Sequence, residues 1–173
     1  PKPSIDTGMG LERVAAVLQG KQSNYDTDLL RPLIARVEAL CGKTYGRDEE
    51  ADVSMRVIAD HARAATFLIT DGVTPSNEWR GYVLRRIMRR AMRHGRMLGL
   101  EAPFLWDVTG TVVAVMGEAY PEIREAQARV AEAVRQEEER FAETLDLGMA
   151  RIREYVDEHR ADARREVDGR FLF

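Results

Sequence analysis

The sequence predicts a mainly α fold: a helical bundle-like domain with a long C-terminal helix, preceded by a short strand–helix piece. Three observations predict it. Apolar residues recur at helical spacing in successive segments, most clearly at Leu30, Leu33, Ile34, Val37 and Leu40. Glycine and proline punctuate the chain between those segments, at Gly20, Gly42, Gly72, Gly99 and Pro121. Charged residues make up 32% of the 173 positions, which suits long solvated helices, and apolar residues make up 45%, enough for a core. This length accommodates one ordinary domain, or one domain with an appended segment.

Residues 3 to 8 are polar, and Asp6-Thr7-Gly8 reads as a strand-to-helix turn. A helix follows from Leu11 to Leu18 and ends by Gly20. Asp26 or Thr27 is expected to cap a second helix that runs to about Leu40 and stops at Gly42. Residues 43 to 50 read as a loop, and a third helix spans about Asp52 to Ile69. Asp71-Gly72 turns the chain, and Thr74 to Glu78 forms a second turn with Ser76 or Asn77 as N-cap.

The fourth helix, Glu78 to Leu98, is the most patterned. Val83, Leu84, Ile87, Met88, Ala91 and Met92 are expected on its buried side. Arg86, Arg89, Arg90 and Arg93 line another side. A short buried helix is expected around Trp106 to Met116. Pro121 opens a very long helical pattern to about His159, with Gly148 as a kink candidate. Its apolar spacing breaks near Glu137-Glu138, so packing on this domain is expected rather than a coiled coil.

Net charge is −3, which on its own argues against a nucleic-acid partner. The distribution argues otherwise. Arg80 to Arg96 holds seven arginines and no acid, whereas acids outnumber bases from Glu118 to Asp168. Local fields steer ligands, so a basic block hidden in a neutral average still makes a polyanion site. The single cysteine, Cys41, allows no internal disulfide, and the scattered His61, His94 and His159 make no metal site. No apolar run approaches the ~18 residues of a membrane helix, and no signal peptide opens the chain. A cytoplasmic protein with no membrane partner and no metal is expected. Pro1 instead of Met, and a strand-like start at Arg170 to Phe173, predict an excerpt of a longer protein.

Two motifs carry chemistry. In Asp6-Thr7-Gly8-Met9-Gly10-Leu11-Glu12-Arg13, paired glycines allow close ligand approach or positive φ, a helix N-terminus favours anions, and Arg13 can grip a phosphate. Asp6 suits a substrate amine. The bland alternative is a glycine loop with Glu12 serving the helix dipole and Arg13 solvated. In Ser76-Asn77-Glu78-Trp79-Arg80-Gly81-Tyr82-Val83-Leu84-Arg85-Arg86, a turn presents an amide ahead of a basic stripe. Arginines bind phosphates, and asparagine can read base edges, which in A-form RNA are accessible in the shallow minor groove. The bland alternative makes Asn77 a cap and pairs the arginines with the acidic long helix. Asp60-His61 reads as a hydrogen-bonded helical histidine in preference to a proton shuttle.

The run Gly8-Met9-Gly10-Leu11-Glu12-Arg13 resembles motif 3 of class II aminoacyl-tRNA synthetases. Ile5-Asp6-Thr7 before it and Asn24-Tyr25-Asp26 after it resemble the alanine-specific branch, as does the stretch from Ser76 to Ala91. The resemblance covers essentially the whole chain. It implies that residues 1–22 end a class II catalytic domain and that 23–173 form a helical domain recognising the tRNA acceptor stem, cut short at its C-terminal end. It implies ATP contacts at Gly10 and Arg13, and alanine contacts at Asp6 and Gly8. It also implies that Asn77 contacts the minor groove of the G·U pair that identifies tRNA-Ala, and the basic stripe beside it then places tRNA contacts at Arg80, Arg86, Arg89, Arg90 and Arg93. ATP with Mg2+ and alanine are then substrates of the whole protein, and no DNA is bound. Motifs 1 and 2 are expected upstream, and a second reader, an aspartate, just past the Phe171-Leu172-Phe173 strand. The 173 residues alone are expected to hold no cofactor, contribute no catalytic residue and be inactive in adenylate formation. The other reading is a non-catalytic helical module that binds RNA or a protein partner.

Overall fold

The computed structural model describes residues 8–159, and the fold over them is mainly α, as the patterning predicts. Asp6 and the strand expected at 170–173 lie outside the described residues. The elements are α1 (Leu11–Leu18), a 3-10 turn (Asn24–Asp26), α2 (Arg31–Cys41), α3 (Glu49–Thr70), α4 (Trp79–Leu98), α5 (Leu105–Met116), α6 (Pro121–Glu125) and α7 (Gln127–Glu158). They divide into two compact units, one ending at Glu138 and one beginning at Glu139.

The first unit is organised by α3. Its buried face is rich in alanine (Ala51, Ala59, Ala62 and Ala65), so α4 lies close against it and inserts Leu84 and Met88, both fully buried. Each such side chain contributes roughly 1.5–3 kcal/mol of burial. On the other side α3 meets α2 and α5, whose Leu33, Ile34, Leu105 and Val108 complete the core. Arg36 on α2 clamps Asp107 on α5 in two hydrogen bonds of 2.7 and 2.6 Å. Among the described residues no helix is long and apolar enough to cross a membrane, and no cluster of potential metal ligands forms.

Several local expectations are corrected. Asp26 and Thr27 do not cap the second helix: Asn24–Asp26 make a 3-10 turn capped by Ser23, and α2 begins at Arg31 with Pro32 in its first turn. Asp48, not a residue near Asp52, starts α3, because its carboxylate accepts from Glu50 N at 3.1 Å. Neither Ser76 nor Asn77 is the N-cap of α4; Glu78 is, without a side-chain cap bond. Val83 is 54% exposed, so the buried side of α4 is Gly81, Leu84, Met88, Ala91, Met92, Gly95 and Leu98. The long C-terminal pattern breaks at Ala126, not at Gly148. The buried residues of α7 are Val130, Val134, Glu137 and Glu138, so its later apolar positions are not core positions.

In the second unit α7 continues to Glu158, where Tyr155 stacks on His159 with ring centroids 4.1 Å apart.

Candidate nucleic-acid interface

The buried face of α4 fixes which side chains it turns outward. Trp79, Tyr82, Arg86, Arg90, Arg93 and Met97 follow each other at three- and four-residue steps and are all exposed, with the exposed Val83 beside Tyr82. Three arginines therefore share one stripe with two aromatic rings. Arg86 lies over the Tyr82 ring, 5.7 Å from its centroid. Beside the stripe, α3 and α4 border a shallow groove of about 440 Å³ lined by His61, Val83, Arg86, Ile87, Arg89 and Arg90. His94 sits behind it against Ser54 Oγ at 3.0 Å, and burial followed by the nearby Arg90 and Arg93 charges hold its pKa below the usual value.

Arg89 differs from the other predicted phosphate contacts. Its Nε donates to Glu137 Oε1 at 2.8 Å, and its side chain is 33% exposed. Arg85 is turned the same way, with Nε 3.2 Å from Glu137 Oε1 and only 16% exposure. The alternative pairing of arginines with the acidic helix thus holds for these two, while Arg86, Arg90 and Arg93 face solvent.

At the head of the stripe, the turn lies flat on the first helical turn. Ser76 N donates to Gly81 O at 3.2 Å, and Ser76 Oγ donates to Glu78 O at 2.9 Å. A Cβ on Gly81 would stand 2.2 Å from Ser76 Oγ and 2.4 Å from Thr74 O, so only glycine allows this approach. Trp79 has φ 50, in the left-handed region, and is 89% exposed. That conformation costs a residue with a Cβ about 1–2 kcal/mol. Asn77 and Arg80 are both exposed. The Asn77 Oδ1 accepts a hydrogen bond from Arg85 Nη1, so its side chain is occupied by α4 rather than by a helix N-terminus.

The glycine motif lies elsewhere in the same unit. Gly10 is the N-cap of α1, with φ −69 and no side-chain cap bond. The positive φ that the sequence allows is not used at Gly10. Gly8 has nothing within 4 Å of where a Cβ would stand, so its backbone is open to approach. Arg13 is exposed and borders a cleft of about 350 Å³ with Gly10, Glu12, Asn24, Tyr25, Asp60 and Arg63. Arg63 holds Glu12 and lies 3.6 Å from Asp60, whose other oxygen accepts from His61 at 3.0 Å. The Glu12 pKa is lowered by its backbone hydrogen bond and by Arg63; that of Asp60 is lowered chiefly by its bond to His61. Burial, reinforced by Asp60, raises that of Tyr25. Asp60-His61 is the hydrogen-bonded pair expected from the sequence, and it stands between this cleft and the groove beside α4.

Sequence reasoning missed Arg85, Glu137 and Gly81. Arg85 was one arginine among seven, and Glu137 one carboxylate in an acidic run. Only the break in the apolar spacing of α7 at Glu137-Glu138 could have signalled them.

Comparison with known proteins agrees with the motifs. The family described as tRNA synthetases class II (A) matches residues 1–173. An alanine–tRNA ligase of Acidithiobacillus ferridurans is 56% identical over the whole chain, which covers 20% of that relative. One from Anaeromyxobacter dehalogenans is 65% identical over 87% of the chain and 17% of the relative, and one from Desulfosudis oleivorans is 54% identical over the whole chain. The chain spans about a fifth of the length of these relatives.

Proposed function

The chain belongs to the class II (A) tRNA synthetases, with alanine–tRNA ligases matching it from end to end, and from that premise we propose that it grips the acceptor stem of tRNA-Ala. Arg86, Arg90 and Arg93, with Arg80 at the helix head, hold backbone phosphates. Asn77 reads the G·U pair from the minor groove. The observation that carries this reading is the state of Asn77: exposed, not a cap, and held at the head of an outward arginine stripe. A wobble pair leaves the guanine amino group free in the minor groove. An amide oxygen has two lone pairs, so Oδ1 can accept from that amino group while it accepts from Arg85. Arg89, committed at Nε to Glu137, contributes to the fold first and to phosphate binding second.

In the whole protein, Gly10 and Arg13 contact ATP with its Mg2+, while Asp6 and Gly8 contact alanine. Support comes from the motif match and from the start of α1, which has no side-chain cap and where Gly10 and Arg13 border one cleft.

The stripe makes a quantitative expectation. Removing Arg86, Arg90 or Arg93 singly should weaken binding of every acceptor-stem hairpin alike and lower the slope of log K against log salt by about one unit. Arg89→Ala should lower the melting temperature more than the slope. The check is a salt titration of the four alanine variants by fluorescence anisotropy. Loss of G·U stems alone, in any of the first three, would make that arginine a reader and overturn the division of labour.

A further inference from the structure

Glu137 places a carboxylate where α7 would otherwise continue an apolar register from Val130 and Val134. It is 2% exposed. A buried carboxylate is costly to desolvate, and a well-packed apolar residue commonly does better for stability. Arg89 compensates it with a direct hydrogen bond at 2.8 Å. Arg85 stands 3.2 Å away as an ion pair in which its Nε forms no hydrogen bond and Glu137 Oε2 has no hydrogen-bond partner, so Arg85 contributes its charge and not a hydrogen bond. A different nitrogen of the same guanidinium, Nη1, donates to Asn77 Oδ1 eight residues back. That bond is exposed, and exposed polar contacts add little to stability. A buried charge thus steadies one end of a guanidinium whose other end holds an exposed amide.

We infer that Glu137 and Arg85 are positioning residues for base-pair reading: the carboxylate fixes Arg85, and Arg85 fixes the Asn77 amide with its oxygen toward α4. Guanidinium only donates, so the atom facing it is the oxygen, whose second lone pair is left to accept from the guanine amino group. The inference rests on the reading of Asn77 proposed above. Its value lies in order. A side chain already fixed does not lose its rotamer freedom on docking, and that saving amounts to about two- to tenfold in affinity for the stem it reads.

The test titrates the 173-residue chain with hairpins that carry G·U or G·C at the same step, and compares wild type, Glu137→Gln, Arg85→Lys and Asn77→Ala. Both positioning variants are expected to lower the G·U to G·C affinity ratio about two- to tenfold. In an Asn77→Ala background neither should change the ratio further. Arg85→Lys keeps a cation for Glu137 but has one nitrogen where two are needed, so it serves if Glu137→Gln does not fold. If Asn77→Ala loses the preference while Arg85→Lys and Glu137→Gln keep it, the inference is overturned and the reading of Asn77 stands. Melting temperatures that fall with an unchanged ratio overturn it likewise, as a purely structural role. If wild type shows no preference, or Asn77→Ala retains it, the reading and the inference fall together.

Discussion

Glu138→Ala is expected to lower the melting temperature by about 10 °C. Helix α5 starts without a side-chain cap of its own. Its cap arrives from α7, where Glu138 Oε1 accepts from Phe104 N at 3.0 Å and Leu105 N at 2.9 Å, and Oε2 accepts from Trp106 N at 3.2 Å. The carboxylate is 4% exposed and faces the positive end of the helix. Removing it leaves two buried N–H groups without a partner, each costing about 1–3 kcal/mol, together roughly 3 kcal/mol or more. At about 2–4 °C per kcal/mol for a chain of this size, the shift follows. Glu138→Gln keeps one oxygen and should lose less than half as much. Circular dichroism melts of both variants check this, and an alanine variant within about 2 °C of wild type would show that α5 does not depend on the trans cap.

Gly81→Ala has the second-largest expected effect, and here two forces compete. Helix propensity alone favours alanine by about 1 kcal/mol. Against it stands a Cβ 2.4 Å from the Thr74 carbonyl, a backbone atom that cannot rotate away. Overpacking of this kind costs typically about 1–3 kcal/mol, so the net should be a loss of about 1 kcal/mol. The larger consequence is positional. The Thr74–Ser76 segment must lift from α4, and Asn77 lifts with it. G·U preference should fall to the level of Asn77→Ala. A variant that melts higher than wild type and keeps its preference would mean that the turn adapts without moving the reader.

These two sites also mark where the sequence was and was not legible. Residues 11–18 and the end of α4 at Gly99 follow from local rules, because apolar spacing and C-terminal glycine act within one turn of chain. The α2 start did not: Asp26 and Thr27 both have cap chemistry, but Asn24–Asp26 form a 3-10 turn and α2 starts at Arg31 after Leu30. Val83 looked like core by residue type, yet it lies one step off the face that α3 covers. Glu137 and Glu138 stood in the sequence only as a break in the apolar spacing of the long helix. Their partners lie on α4 and at the start of α5, some 30 to 50 residues away, and no local pattern announces a carboxylate that caps another helix. Arg86, Arg90 and Arg93 are exposed as their spacing implies, but Arg89 was placed with them, and which arginines turn inward depended on Glu137.

The most direct test of the account is the affinity of wild type and Asn77→Ala for acceptor-stem hairpins with G·U or G·C, measured beside their melting curves. Wild type is expected to prefer the G·U stem by about fivefold or more, the lower end of one good base-edge contact. Asn77→Ala should lose that preference and melt within about 2 °C of wild type, because Asn77 caps no helix and its bond to Arg85 is exposed. An Asn77→Ala chain that melts lower and still prefers the G·U stem would contradict it.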